Sequence, residues 1–402
     1  MKRACFGLLA LLAAAVPLST VACDGSDETV RGHDDDAGSD AAVPPDASDD
    51  DAADADADAE APEPCTEDGF CHTELPGELV LRDVWGDGTG IVWAVSEGGD
   101  ILRWDGSAWT IQHSEPGELF AIWGGSPTDV WAGGERGLFH GEGASSNALV
   151  WTHVDVPGLD GIPITSIWGS SSSDVWAVAG RSDMMLFPPV VEGRALHFGG
   201  KATGWTVQPV RTRDASFTKV WGTGPRDVWI GGFDLESFPL RFGDGLVFRL
   251  DPDDDSGTSF IEVALPELER PGGRRKVERV LGGATIGGDL IVLASSEDAA
   301  AYLVGSTEQD GGATLSWRDE TFAVHPSHHH HAVWGSASND LWLAGEYGRL
   351  RHWDGATWYL PRISTARIPV TNDIHAIWAQ GTNDVWFVGD RIALHKRPSK
   401  AK

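Results

Sequence analysis

Past residue 65 this chain sets runs of four to six apolar or β-branched residues between clusters of Gly, Asp, Ser and Pro, and no stretch keeps the three- and four-residue spacing of an amphipathic helix. The pattern predicts short strands joined by tight turns. It also repeats. Tryptophans stand eight residues apart six times, at Trp85/Trp93, Trp123/Trp131, Trp168/Trp176, Trp221/Trp229, Trp334/Trp342 and Trp378/Trp386. Five of the six copies read Val or Ile, Trp, Gly or Ala, four residues, Asp, Val or Leu, Trp, as in Ile122-Trp123 to Asp129-Val130-Trp131. Each copy is two apolar strands around a polar turn with Asp at its end.

The unit from 81 to 114 holds four strand candidates, Leu81–Trp85, Ile91–Val95, Ile101–Trp104 and Trp109–His113, with Trp104-Asp105-Gly106 making the last turn. The unit from 332 to 360 repeats the scheme through Trp353-Asp354-Gly355-Ala356-Thr357-Trp358. Four-stranded antiparallel units recurring in this way predict a β-propeller. First strands fall at Trp85, Trp123, Trp168, Trp221, a degenerate unit at Val280-Leu281, Trp334 and Trp378. The expected fold class is therefore all-β, a seven-bladed β-propeller of four-stranded antiparallel blades over 65–402. Units three to five carry insertions such as 251–256, placed in exposed loops by their charge. The seventh unit stops after its third strand, Ile392–Lys396, while Asp68-Gly69-Phe70-Cys71-His72-Thr73 supplies a turn and an outer strand. Residues near 70–75 are expected to complete that blade and cover its edge. A Trp repeated at one place per blade is expected to fill the space between blades. Burying about 200 Å² of it at about 25 cal/mol per Å² sets an upper figure near 5 kcal/mol per ring. A sugar-binding aromatic platform is the functional alternative.

Ahead of the repeats the composition changes twice. Lys2 and Arg3, an apolar run from Leu8 to Leu18 and then Ser19-Thr20-Val21-Ala22-Cys23 form a secretory signal with small residues before a cysteine. It resembles a bacterial lipoprotein signal, which implies cleavage after residue 22 and lipid attachment at Cys23; Thr20 departs from the Leu or Val such signals carry there, and an ordinary secreted protein or an uncleaved anchor is the other reading. The apolar run is short for a membrane span, which needs about 20 residues. From 24 to 64 the chain is mostly Asp, Ala, Ser and Pro, sixteen acidic residues against Arg31 alone, about half of the formal net charge of −31. Such a segment cannot bury enough apolar area to offset its ordering entropy, and its charges extend it into a disordered tether. Calcium binding is a weaker reading, because the D-x-D-x-D-G spacing of a calcium loop is absent. Cys65 and Cys71 remain, and an exported protein favours a local disulfide between them; two cysteines alone supply half of a zinc site. The acidic balance argues against nucleic acid and anionic lipid headgroups as partners.

With the repeats and the Trp-Asp-Gly turns in view, the chain resembles tryptophan-rich propellers of secreted and lipid-anchored bacterial proteins. It is similar to the Asp-box (bacterial neuraminidase repeat) propellers and to photosystem II assembly factors. The resemblance implies the fold over about 65–402. The Asp-box order S-x-D-x-G-x-x-W is replaced here by adjacent Asp105-Gly106 and Asp354-Gly355. Sialidase chemistry would need an arginine cluster and a tyrosine activated by a glutamate. Tyr302, Tyr347 and Tyr359 are the three tyrosines, Glu346-Tyr347 falls in an expected turn, and Arg367 comes late in the chain.

Histidines make the densest polar cluster, His325-Pro326-Ser327-His328-His329-His330-His331, at the start of unit six. Three residues before each first-strand Trp, the ring reads Arg82, Phe120, Thr165, Thr218, Glu278, His331 and His375. Connections to inner strands border one mouth of a propeller's channel, which makes Arg82, Glu278, His331 and His375 the candidate ligand-binding set. His328, His329, His330 and His331 are candidate ligands for Zn²⁺, Cu²⁺ or Ni²⁺, against the plainer reading of a solvated loop without cofactor. No nucleophile elbow, H-E-x-x-H, P-loop or dinucleotide fingerprint occurs. The expectation is a monomeric, non-enzymatic binding or assembly module of the bacterial cell envelope, lipid-anchored on the periplasmic face or the cell surface, for a protein or glycan partner. The alternative is an envelope glycan hydrolase or lyase working at the channel mouth, with a histidine-bound metal.

Overall fold

The computed structural model describes residues 65–397 except 187–188, 211–213, 237–240, 256, 271, 297–298, 308–314, 321–327 and 366–368. The expected signal segment, Cys23 and the acidic tether lie outside the described residues, as do His325, Pro326, Ser327 and Arg367. What is described is seven antiparallel sheets of four strands. Blade one runs Leu81–Gly86, Val92–Ser96, Asp100–Trp104 and Trp109–Ser114. The later blades open with Leu119–Ser126, Ile164–Ser171, Ala215–Gly224, Arg279–Ile286, His330–Ala337 and Ile374–Gly381. Each of these first strands packs on the first strand of the next blade, and the seventh returns to the first. That closed circuit makes a ring with the first strands innermost. A small extra hairpin, Leu268–Arg270 with Gly273–Arg275, sits between blades four and five and has no counterpart in the repeat.

The ring is closed by the fourth strand of blade seven, Phe70–His72, which pairs antiparallel with Ile392–Lys396 in the register Phe70 to Lys396 and His72 to Leu394. The Thr73 N–H donates to the Ala393 carbonyl at 2.9 Å, and the Trp109 indole N–H of blade one reaches the Thr73 hydroxyl at 3.0 Å. Cys65 and Cys71 are joined in a disulfide at the head of this strand. An edge that would otherwise present unpaired backbone groups is thus covered by the other end of the folded unit.

Within the blades all six Trp pairs are direct cross-strand neighbours, from Trp85 opposite Trp93 to Trp378 opposite Trp386. The second member is buried in every pair, between 0% exposed at Trp93 and 5% at Trp229. In five of the six pairs it packs on an aromatic ring from the outer strand of the next blade. Trp93 meets Trp151 at 5.9 Å, Trp131 meets Trp205 at 5.2 Å, Trp176 meets Phe260 at 5.5 Å and Trp386 meets Trp109 at 5.5 Å. Trp342 finds Phe70 of the closing strand at 5.9 Å. These edge-on pairs use the ring quadrupole as well as buried area, and they place the core between blades rather than inside one.

The Asp of the repeat has its own task. In four blades a third-strand His stacks on the second Trp, as His140 does on Trp131 at 3.8 Å with the ring planes 7° apart. The same stacks join Trp176 to His197, Trp342 to His352 and Trp386 to His395. Each imidazole Nε2 then lies 2.6 to 2.7 Å from an Asp carboxylate, Asp129, Asp174, Asp340 or Asp384. A carboxylate accepts only, so Nε2 carries the proton. Burial pushes the Asp129 and Asp174 carboxyls up, but hydrogen bonds from the paired His and from Ser172 or Ser170 outweigh it and leave both below the ordinary value. These triads lock the first hairpin to the third strand.

Candidate functional site

In every blade the first strand slips register once near its start, between Leu81 and Asp83, Leu119 and Ala121, Ile164 and Ser166, Phe217 and Lys219, Val280 and Gly282, His330 and Ala332, and Ile374 and Ala376. A bulge leaves one residue unpaired and re-aims its side chain. The seven re-aimed residues are Arg82, Phe120, Thr165, Thr218, Leu281, His331 and His375. Glu278 is not among them. The degenerate blade has no Trp to count from, and Ala284, not Leu281, stands opposite Ile291 at the place of the Trp pair, so the true ring position is three residues later than the sequence register suggested. Glu278 precedes the strand and donates its N–H to the Ser295 carbonyl.

On one side of the ring these residues stitch blades together. The Thr165 hydroxyl is 2.9 Å from the Phe217 carbonyl of the next blade, and that of Thr218 is 2.6 Å from the Val280 carbonyl. On the other side, across blades six, seven and one, they form a charged cluster. His375 Nε2 lies 2.7 Å from Asp390 Oδ1 and 3.4 Å from Arg82 Nη1. The short carboxylate contact requires the proton on Nε2, so the longer approach of Arg82 sets two N–H donors side by side and is not a second hydrogen bond. Arg82 pairs with Glu97, and the His331 and His375 rings stand 5.4 Å apart. Burial, with the charge of His375 behind it, holds His331 below the ordinary imidazole value against the pull of Glu346 and Asp373. The structure therefore brings Arg82, His331 and His375 together.

The four consecutive histidines do not converge. His328 packs on Tyr347 at 4.8 Å, and His329 sits against Glu346, its N–H donating to Oε2 at 3.3 Å with Nδ1 at 3.4 Å from Oε1. His330 pairs with Gly345 and His331 turns at the bulge toward His375. Neighbouring residues of an extended chain point to opposite sides, which separates them. Among the described residues no group of three or more His, Cys, Asp or Glu side chains is arranged to hold a metal ion.

Three acidic residues, Glu97, Glu135 and Asp390, went unread in the sequence, and a fourth, Glu346, was read only as part of a turn. Glu97, Glu135, Glu346 and Asp390 each open the hairpin from second to third strand, in blades one, two, six and seven. The signal was an acid beside a turn residue of positive φ: Gly99, Gly137, Tyr347 with Gly348, and Arg391. Asp373 joins them by accepting the Tyr347 N–H at 2.8 Å. Deeper in the ring, one residue past the bulge, Asp83 accepts the N–H groups of Val84 and of Ile122 in blade two, both at 3.0 Å. Burial raises its carboxyl and the charge of Lys219 opposes the rise. Lys219 holds the same strand position in blade four, where Ala121, Ser166, Gly282, Ala332 and Ala376 stand elsewhere. Blades one and four are not neighbours, so the two charges feel each other across the ring's centre.

Comparison with solved structures finds the same architecture. YCF48 from Cyanidioschyzon merolae aligns over 83% of this chain and 100% of its own, at 13% identity and a TM-score of 0.59. A structure of YCF48 bound to a D1 peptide aligns over 82% and 95%, at 13% identity and 0.58. The extracellular domain of BT4673 from B. thetaiotaomicron aligns at 14% identity and 0.58, over 83% of this chain but only 40% of that one. The likeness is one of fold. No family model and no curated protein sequence matches the chain.

Proposed function

We propose that this propeller is a binding module of the bacterial cell envelope, anchored through a lipid on Cys23, that captures a basic segment of a partner protein at the mouth formed by blades six, seven, one and two. The observation that carries this reading is the row of hairpin carboxylates, Glu97, Glu135, Glu346 and Asp390, on four consecutive blades around the Arg82–His375–His331 cluster. Carboxylates on rigid hairpins beside a channel mouth focus a negative potential, which speeds and orients the approach of a cationic partner. The net charge of −31 adds a long-range field of the same sign. That YCF48 has been seen with a peptide bound supports a peptide ligand for the fold, and the extracellular BT4673 domain supports an exported address. The module acts without turnover and without a metal.

The test is a pulldown from detergent-solubilised envelope with the full lipidated chain as bait, repeated with Glu97→Gln/Glu346→Gln/Asp390→Asn and with chelator. A saturable protein partner that is released by salt, lost in the triple variant and indifferent to chelator is expected. Capture unchanged by the triple variant, capture that needs metal, or turnover of an envelope glycan would overturn the reading. Cys23→Ser is expected to move the protein out of the membrane fraction.

A further inference from the structure

Blade five interrupts the aromatic pattern, and the interruption leaves room. Six blades carry Trp on the second strand, opposite a third-strand His in four of them and opposite Arg103 or Arg249 in the other two. Blade five has Ile291 opposite Val304. An indole and the imidazole or guanidinium side chain across the strand from it are replaced by two branched aliphatic side chains. The volume they vacate is a cleft of about 330 Å³ between blades five and six. Its floor is Ile291, Val304 and Leu341, all under 9% exposed, and its walls are Tyr302, Trp353 and Trp358.

The polar group at its edge is equally specific. Asp289 is the blade-five counterpart of Asp227, which in blade four accepts the N–H of its own Trp229 at 2.9 Å. With Ile291 in place of that Trp, Asp289 instead takes the Ser306 hydroxyl and stands 3.9 Å from Arg318. Trp358, whose equivalents Trp151, Trp205, Phe260 and Phe70 each meet the previous blade's Trp, here meets Tyr302 edge-on at 5.8 Å and Trp353 of its own blade at 5.7 Å. We infer that this cleft binds an indole or a similar flat N–H heteroaromatic ring, free or on the tryptophan of a peptide, seated in the place of the missing indole with its edge against Trp358 and its N–H toward Asp289. Ligand pockets begin at about 300 Å³, so the cleft suits one bicyclic ring and not an extended glycan. The site lies at the first-hairpin end of the strands, opposite the mouth, and stands independently of what the mouth captures.

The experiment is a titration of the full chain with N-acetyl-tryptophanamide, indole and N-acetyl-leucinamide, followed by ligand-observed NMR and calorimetry. Saturable binding of the first two and none of the third is expected. Equal affinities for indole and the amide assign recognition to the ring, and a tenfold preference for the amide assigns it to a peptide. Ile291→Trp supplies the missing indole from within and is expected to weaken binding at least tenfold while Tm holds or rises. Should that variant fail to fold, Leu341→Phe narrows the cleft from the blade-six wall with the same expectation. Absence of saturation, or undiminished binding by a folded Ile291→Trp or Leu341→Phe chain, overturns the assignment. Glu97→Gln, at the mouth, is expected to leave it unchanged.

Discussion

The indole of Trp85 in blade one lies so close to Gly124 of blade two that a methyl group on that glycine would stand 2.6 Å from the ring. Trp123 meets Gly169, Trp168 meets Gly222 and Trp378 meets Gly86 at 2.5 to 2.8 Å in the same way. In these four copies the glycine that follows the Trp therefore answers to the Trp of the preceding blade, whereas Gly335, after the blade that lacks the Trp pair, lies against Leu341 and Ile286. Gly124→Ala should push the blades apart or drive Trp85 off its rotamer, a cost of about 1–3 kcal/mol. Gly224→Ala, at a glycine with nothing within 4 Å of the added carbon, is the control and should stay within about 0.5 kcal/mol of the parent. Urea midpoints decide it, and equal midpoints for the two variants would mean the Trp–Gly contact constrains nothing.

Closure of the ring rests on one side chain more than on the backbone around it. Phe70 is fully buried and meets both Trp342 and Phe387 at 5.9 Å, so the closing strand contributes the aromatic partner that blade six needs from its neighbour. Phe70→Ala should cost about 3–5 kcal/mol. Reducing Cys65–Cys71 should cost only about 2 kcal/mol, the chain-entropy figure for so short a loop. Hydrogen exchange should rise first in Ile392–Lys396, the strand that Phe70–His72 covers, and unaltered protection there would separate closure from stability.

These two relationships show where the fold was legible. Trp at a fixed spacing with Asp before the second member could be read as a hairpin because both strands alternate inside and outside with period two. The blade count survived even the loss of Trp in blade five, since Arg279–Ile286 and its three partner strands keep their apolar runs. Register was a different matter. Each first strand carries a bulge, and a bulge shifts every later residue by one without marking the sequence; only the Trp pair anchored the count, which is why Glu278 was taken for the place that Leu281 holds. The stacking histidines were hidden for another reason. His140 and His197 follow their tryptophans at unequal distances because the second hairpin of blade three is longer, so no fixed spacing joins Trp to His. The mouth acids share only a turn, and turns repeat less strictly than strands.

The pair Asp129 and His140 gives the triads a measurable worth. Both side chains are largely buried, at 25% and 12% exposed, and the hydrogen bond between them is charge-assisted at 2.6 Å. Asp129→Asn should cost about 1.5–3 kcal/mol, the range for a hydrogen bond to a charged group. His140→Phe keeps a flat ring on Trp131 and removes the donor. In a double-mutant cycle the two changes should cost clearly less together than summed, by about 1 kcal/mol or more. Strict additivity would show that the stack on Trp131, and not the carboxylate, holds the imidazole.

Acid should loosen blade six before the rest. Burial, followed by the charges of Arg351, His331, Arg349 and His329, pushes His330 down to about 3, so this imidazole is neutral in the folded chain where the unfolded chain protonates it at its ordinary value of 6.5. Between those two values the unfolded state binds the extra proton, and stability falls as pH is lowered through the window. One such group contributes at most about 1.4 kcal/mol per pH unit, hence about 2 kcal/mol between roughly pH 6.5 and 5. His331, lowered by burial and by His375, adds a slope of the same sign. Asp83 works the other way: its raised carboxyl contributes stability below its ordinary value of 3.8 that is lost as pH rises through the folded value. Comparing parent with His330→Gln cancels that contribution. The parent's urea midpoint should drop between about pH 7.5 and 5 by clearly more than the variant's, and parallel pH profiles would show that His330 stays uncharged in both states or charged in both.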